Sequence, residues 1–209
     1  MKLTSLMMKM PRVMTMYDYT DVIIRYLNKR FIDIFHRMKS VISMDELNIM
    51  QTTYVIYDEL LRETEEKLLE LAIYYYTHTV SNAKTRIDKE WLYTILDAYD
   101  PITKYVFTHE VERKRARFME SLMASTNRSH ETDVALRYWS AMVAQYAIEI
   151  TDAAVKQAYI DDGVMRVIWV TVFDDRRCKV CAKREGEIYD IDKVPPKPHI
   201  GCRCYLLPY

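Results

Sequence analysis

Glycine and cysteine are almost missing from this chain, and what there is of them lies at one end. Of 209 residues, three are glycine and four are cysteine. Residues 1–162 contain neither. Four of the six prolines also fall in the last stretch. A long span without glycine has few positions suited to tight turns, which favours long helices over hairpins. Net charge is missing too, because 30 basic and 30 acidic side chains cancel. No global field then drives the chain toward nucleic acid or membrane, and such binding would need a local patch. No run approaches the roughly 18 apolar residues of a membrane span. The methionine-rich stretch Met1–Met16 is interrupted by Lys9, Pro11 and Arg12 and lacks the apolar core of a signal peptide. The expectation is a soluble protein folded in a reducing cytoplasm, where closely spaced cysteines are thiols or metal ligands rather than disulfides.

Helical periodicity fills the cysteine-free span. Residues 1–17 read as a loose arm. From Asp18 to about Ser40, Ile23, Leu27, Phe31, Ile34 and Met38 form one apolar stripe. Arg25, Lys29, Arg30, Arg37 and Lys39 make a basic, solvated face. Ser43 to Glu46 has the form of a capping box. Leu47, Met50, Tyr54, Tyr57, Leu61, Leu68, Leu71 and Tyr75 then keep a heptad-like step broken at Thr64. Such a seam wants a partner helix. The favoured partner is the first helix folded back as a hairpin, and another subunit is the alternative. Residues 81–86 read as a connector, and Asp88 as the cap of a short helix carrying Trp91, Leu92, Ile95 and Tyr99. Asp100-Pro101 is a further start signal.

Thr108 is expected to open a helix with Val111, Phe118 and Leu122 on one face. Arg113, Lys114, Arg115 and Arg117 are candidates to grip phosphates or a partner. Interleaved Glu110 and Glu112 fit an ordinary salt-laced helix equally well. His109 reads as a surface histidine. After a turn at Asn127–Ser129, a long helix is expected from about Glu131 to Asp162, with Ala135, Tyr138, Trp139, Met142, Tyr146, Ile150, Ala153 and Ala154 on one face. Gly163 stops it. Val164 to Phe173 reads as a buried strand, Glu187 to Asp190 as a second and Arg203 to Leu207 as a third.

All four cysteines lie in this last module. Cys178-x-x-Cys181 is expected as a tight turn between strands, placing two sulfurs on one side. Cys202 and Cys204, two apart on an extended segment, point to one face. His199 stands three before Cys202. Two close pairs about twenty residues apart fit a zinc knuckle. Five candidates compete for four tetrahedral places, so one of His199, Cys202 and Cys204 falls outside the ligand set. The alternatives are free thiols with His199 as a hydrogen-bonding residue, and a disulfide formed after release, which a reducing cytosol disfavours. A redox Cys-x-x-Cys normally begins a helix, and a Cys–His nucleophile finds no orienting group or oxyanion hole in the sequence.

The same segment resembles the phage head morphogenesis proteins, the phage Mu F-like minor head family. The resemblance is carried by Trp169 to Cys181, by Glu185-Gly186-Glu187-Ile188-Tyr189, and by Val194-Pro195-Pro196-Lys197-Pro198-His199-Ile200-Gly201-Cys202-Arg203-Cys204, with Pro208 closing. It covers residues 164–209, and the helices from about Tyr99 to Asp162 are similar to the region that precedes it in such proteins. It implies a non-enzymatic minor capsid protein inside the virion head, present in host cytoplasm during assembly. It further implies association with the portal protein, with major capsid or scaffolding protein and double-stranded DNA as further candidate partners. The implied role is in head assembly, DNA packaging or ejection. Many members of that family keep the His-x-x-Cys-Arg-Cys end and lack the first cysteine pair, whereas this chain has both. The alternatives are a zinc-ribbon-like nucleic-acid-binding protein and a thiol-dependent enzyme. The expected architecture is mainly α: an elongated helical body over 18–163 with a long hairpin, then a three-stranded, zinc-knuckle-like β module over 164–209.

Overall fold

In a computed structural model, residues 17–41, 45–81, 87–99, 101–172, 177–199 and 201–209 are described, without the side chains of Val41, Lys89 and residues 96–110. Residues 1–16 of the expected arm, Ser43, the connector 82–86 and the His109 side chain therefore lie outside the described residues, whereas Tyr17, read as part of that arm, is buried and hydrogen-bonded to Asp152. The fold is mainly helical with a small C-terminal sheet. The helices are α1 (Asp18–Val41), α2 (Glu46–Thr79), α3 (Lys89–Tyr99), α4 (Pro101–Ala124), α5 (Arg128–Asp161) and the short α6 (Lys179–Arg184). The strands are β1 (Arg166–Val170), β2 (Ile188–Asp190) and β3 (Tyr205–Pro208). Among the described residues, no helix is long and apolar enough to cross a membrane.

The helix ends follow local chemistry. Asp45 caps α2 by accepting from the Asn48 amide, and Asp88 accepts from the Trp91 amide at 3.0 Å. Asn127 caps α5 by accepting from His130 N–H, so this helix starts at Arg128, earlier than expected. Helix α4 runs unbroken from Pro101, and Thr108 lies within it rather than at its start. Proline at a first helical position needs no hydrogen-bond partner for its nitrogen, so it nucleates the earlier start. Gly163 ends α5 region with φ of 75°, a conformation that a side chain would strain.

Helices α1 and α2 form the expected hairpin, and α5 packs against both. The pairings run in opposite directions along the hairpin: Thr20 with Tyr75, Arg30 with Glu63 at 3.1 Å, Arg37 with Glu59. The α1 stripe of Ile23, Leu27, Phe31, Ile34 and Met38 is fully in the core. The basic face of α1 is a surface laced with ion pairs, including Lys39 to Asp133. The α2 seam differs in its first half. Ile49, Thr53, Ile56 and Leu60 are buried, whereas Leu47, Met50 and Tyr54 face outward. Thr64 is no break: it is buried, its hydroxyl donating to the Leu60 carbonyl at 2.6 Å. A threonine that satisfies its own hydroxyl on the preceding turn can sit in an apolar seam. On α5, Trp139, Tyr146, Ile150, Ala153 and Ala154 are buried as expected, and Tyr138 is exposed. Trp139 lies at the centre, edge-on to Phe31 and to Tyr57.

The sheet is antiparallel in the order β2-β1-β3. Val167 faces Tyr189, and Trp169 faces Leu206. Strand β1 is shorter than expected and half-buried, with Val167 and Trp169 inward and Arg166 exposed. Alternation along a strand covered on one side only explains this.

Candidate metal centre

The four cysteines and His199 converge beneath β1. Cys178 ends the loop after β1 and caps α6, its sulfur accepting from the Cys181 amide at 3.3 Å. The Cys-x-x-Cys segment is therefore the first turn of a six-residue helix, not the tight turn between strands that was expected. The cause is local: a sulfur at the N-cap satisfies a free helix amide. Cys202 and Cys204 arrive on the segment leading into β3. Gly201 there has φ of 71°, and its N–H donates to Gln145 Oε1 at 2.7 Å. Trp169, Cys181, Cys202 and Cys204 form the buried centre of the module.

Cys181 is the hub of the site. Its sulfur is 3.4 Å from Cys178 Sγ, 3.7 Å from Cys202 Sγ and 3.5 Å from His199 Nε2. Two ligand-type triads share it: Cys178, Cys181 and His199, and Cys181, Cys202 and Cys204. No pair is bonded as a disulfide, and all four thiols are free. The five residues thus form a group able to hold a metal ion.

The thiols do not all ionise comfortably together. Cys178 is lowered, first by the Cys181 amide. Cys202 is lowered to about 5, first by a hydrogen bond from Cys204, with Lys197 adding attraction. Burial pushes Cys181 up to about 11. Cys204 is raised, first because its proton is shared with Cys202 and then by burial. Cys202 is therefore the readiest thiolate of the cluster, hydrogen-bonded by the protonated Cys204. A cation would displace the proton of each thiol it binds.

The module is clamped to the helical body by a buried polar network. Tyr17 Oη lies 2.7 Å from Asp152 Oδ1 and 3.1 Å from the Cys204 carbonyl. Lys197 pairs with Asp152 and donates to Tyr17 Oη and to the Cys202 carbonyl, both at 3.0 Å. Arg203 pairs with Asp21 at 3.1 Å. Burial raises the Asp152 carboxyl above its usual range, and Lys197 opposes this. Asp152, Lys197 and Tyr17 escaped the sequence reasoning. The available signal was an aspartate within the apolar run Ile150–Val155.

The basic candidates on α4 do not form one free face. Arg113 and Arg117 are exposed. Arg115 turns toward α2, stacking on the Tyr54 ring at 4.2 Å, reaching Asp58 at 4.0 Å and pairing with Glu112. Lys114 lies over the Tyr138 ring at 5.4 Å. The structure does not bring these four to the Cys/His site. Comparison with family models, with curated proteins and with solved structures gave no match.

Proposed function

We propose that the chain is a structural binding protein of the minor head type, whose C-terminal module is braced by one zinc ion. The observation that carries the zinc assignment is the spacing around Cys181. A tetrahedral zinc with bonds of about 2.3 Å to sulfur and 2.0 Å to nitrogen has S···S edges of about 3.8 Å and S···N edges of about 3.6 Å. The separations of 3.4, 3.7 and 3.5 Å sit close to those edges. A mixed thiolate–imidazole donor set suits zinc over harder cations. Cys178, Cys181 and His199 would supply three positions, and Cys202 or Cys204 would supply the fourth. The ion would supply cross-linking, not chemistry.

The head-assembly role rests on the sequence resemblance over residues 164–209, with the helical body as the surface for portal, capsid or scaffolding protein. Its place would be inside the virion head, after assembly in host cytoplasm. DNA contact through α4 is the weaker part, because Arg115 is engaged by α2. Purified protein should carry about one equivalent of zinc, lost by Cys181→Ser and kept by one of the two variants Cys202→Ser and Cys204→Ser. Co-expression with portal protein should yield a complex. Loss of metal from both variants alike would sink the ligand assignment, and no complex with any head component would sink the assembly role. A thiol-redox role is the second reading, favoured by Cys178 at the cap of α6. Metal-free, fully folded protein with four titratable thiols would select it.

A further inference from the structure

The candidate ligands come from two segments that are supported in different ways. Cys178 and Cys181 stand at the start of α6 and are held by that helix's own backbone. Cys202 and Cys204 stand on a segment that the helical body holds. Four consecutive residues there are tied down. Gly201 N–H donates to Gln145 Oε1 of α5 at 2.7 Å. The Cys202 carbonyl accepts from Lys197, itself paired with Asp152 of α5. Arg203 pairs with Asp21 of α1. The Cys204 carbonyl accepts from Tyr17 Oη. Tyr17 is fixed in turn at the start of α1, where its carbonyl accepts from the Asp21 amide at 2.8 Å, and its ring lies against Lys197 and Arg203.

Between these tethers the joint is not close-packed. A cavity of about 350 Å³ lies between α5 and the segment from Val194 to Leu206, bordered by the polar stripe Gln145, Glu149, Asp152 and Lys156 of α5. Packing energy needs close contact, so the place of this segment rests largely on the polar bonds that cross the joint. Cys202 and Cys204 are only 1% and 4% exposed. A reagent reaches them when the segment opens from the body.

We propose that the helical body is a working part of the metal centre, with Tyr17, Asp21 and Gln145 as positioning residues that hold Cys202 and Cys204 against Cys181. They act through the backbone and through Arg203. Groups behind metal ligands typically alter affinity by about 10–100-fold when removed. Such coupling is reciprocal, so a bound ion tightens the docking of the module on the body by the same factor. The proposal rests on the reading of the Cys/His cluster as a metal site. Zinc affinity of the full chain, measured against a competing chromophoric chelator, should weaken about tenfold in Tyr17→Phe. Asp21→Asn, at a half-exposed ion pair and still informative if Tyr17→Phe fails to fold, should weaken it about threefold. Asn127→Ala, which loosens the other end of α5, should leave it unchanged. In metal-free protein, iodoacetamide should alkylate Cys202 and Cys204 about tenfold faster in Tyr17→Phe than in the parent, with Cys178 unchanged, read by peptide mass spectrometry. Equal zinc affinity in the parent and both α1 variants would overturn the proposal. A parent chain that takes up no zinc would sink the metal reading instead. Equal alkylation of Cys202 and Cys204 in parent and variant would then overturn the positioning role without reference to metal.

Discussion

The helical body and the C-terminal module bury different materials. The interior of the body is one apolar cluster running from Ile23 through Trp139 to Ala158. The buried cluster of the module is one tryptophan and three thiols, with Val167 and Ile191 buried outside that cluster. Burial of large apolar side chains is worth roughly 1.5–3 kcal/mol each, so the body has enough to stand alone. A three-stranded sheet with so small a core gains more from a staple such as the proposed zinc. The polar network of Tyr17, Asp152 and Lys197 then joins the two regions through the carbonyls of Cys202 and Cys204. The candidate ligand segment thus gathers its sulfurs on one side and is tied to the helical body by its backbone on the other.

The sharpest way to break this comparison is to remove the proposed zinc. Chelation, or Cys181→Ser, should abolish amide protection across Val167–Val170 in hydrogen exchange while helical circular dichroism persists. The binding free energy lost is on the order of 10 kcal/mol. A module that stays protected without metal would show that its apolar contacts suffice. The converse test is Trp139→Ala, expected to cost roughly 3–5 kcal/mol in denaturant unfolding of the body. Zinc stoichiometry in the folded variant should not change.

The joint between the regions comes next. Lys197→Met leaves the Asp152 charge buried without its ammonium, at a cost of about 3 kcal/mol. That cost depends on pH. The folded carboxyl lies above its ordinary 3.8 because of burial. In the window above 3.8 the folded state therefore keeps a proton that the unfolded chain has released. Asp152 destabilises the fold as pH rises through its folded value, and the variant extends that window upward. Its deficit against the parent protein should shrink on acidification from neutral pH, measured by urea midpoints. Asp152→Asn in the Lys197→Met background should recover part of the loss at neutral pH. The smallest effect is expected at the helix cap. Asn127→Ala should cost about 1 kcal/mol, read as a shift in melting temperature, because the amide of His130 loses its acceptor.

Much of the body was legible because its residues repeat. The α1 stripe and the later half of the α2 seam lie where period alone places them. The first half of α2 misled, since Leu47, Met50 and Tyr54 keep a step as regular as that of Ile49, Thr53 and Ile56. Only the position of α1 and α5 decides which of two adjacent stripes is covered. The cap at Asn127 was hidden by a turn-like sequence, and the Pro101 start by Thr108 further on. In the module, the cysteine spacing identified the candidate ligands, but the helix at Lys179–Arg184 did not show. Six residues are too few for a periodic signal.

Composition and spacing alone determined that the described residues from Asp18 to Gly163 are mainly helical, that the chain is turn-rich beyond them, and that it carries five ligand-type side chains in the second part. Those properties are local, set by propensity, periodicity and pairs of residues two to four apart. Tertiary structure alone decided that Cys181 is the hub, that Arg115 belongs to an α2 contact rather than an open basic face, and that Asp152 meets Lys197. It also decided that a polar stripe of α5 borders a cavity. Each of these joins residues far apart in the chain, and no local pattern records which distant partner will neutralise a buried charge or complete a ligand set.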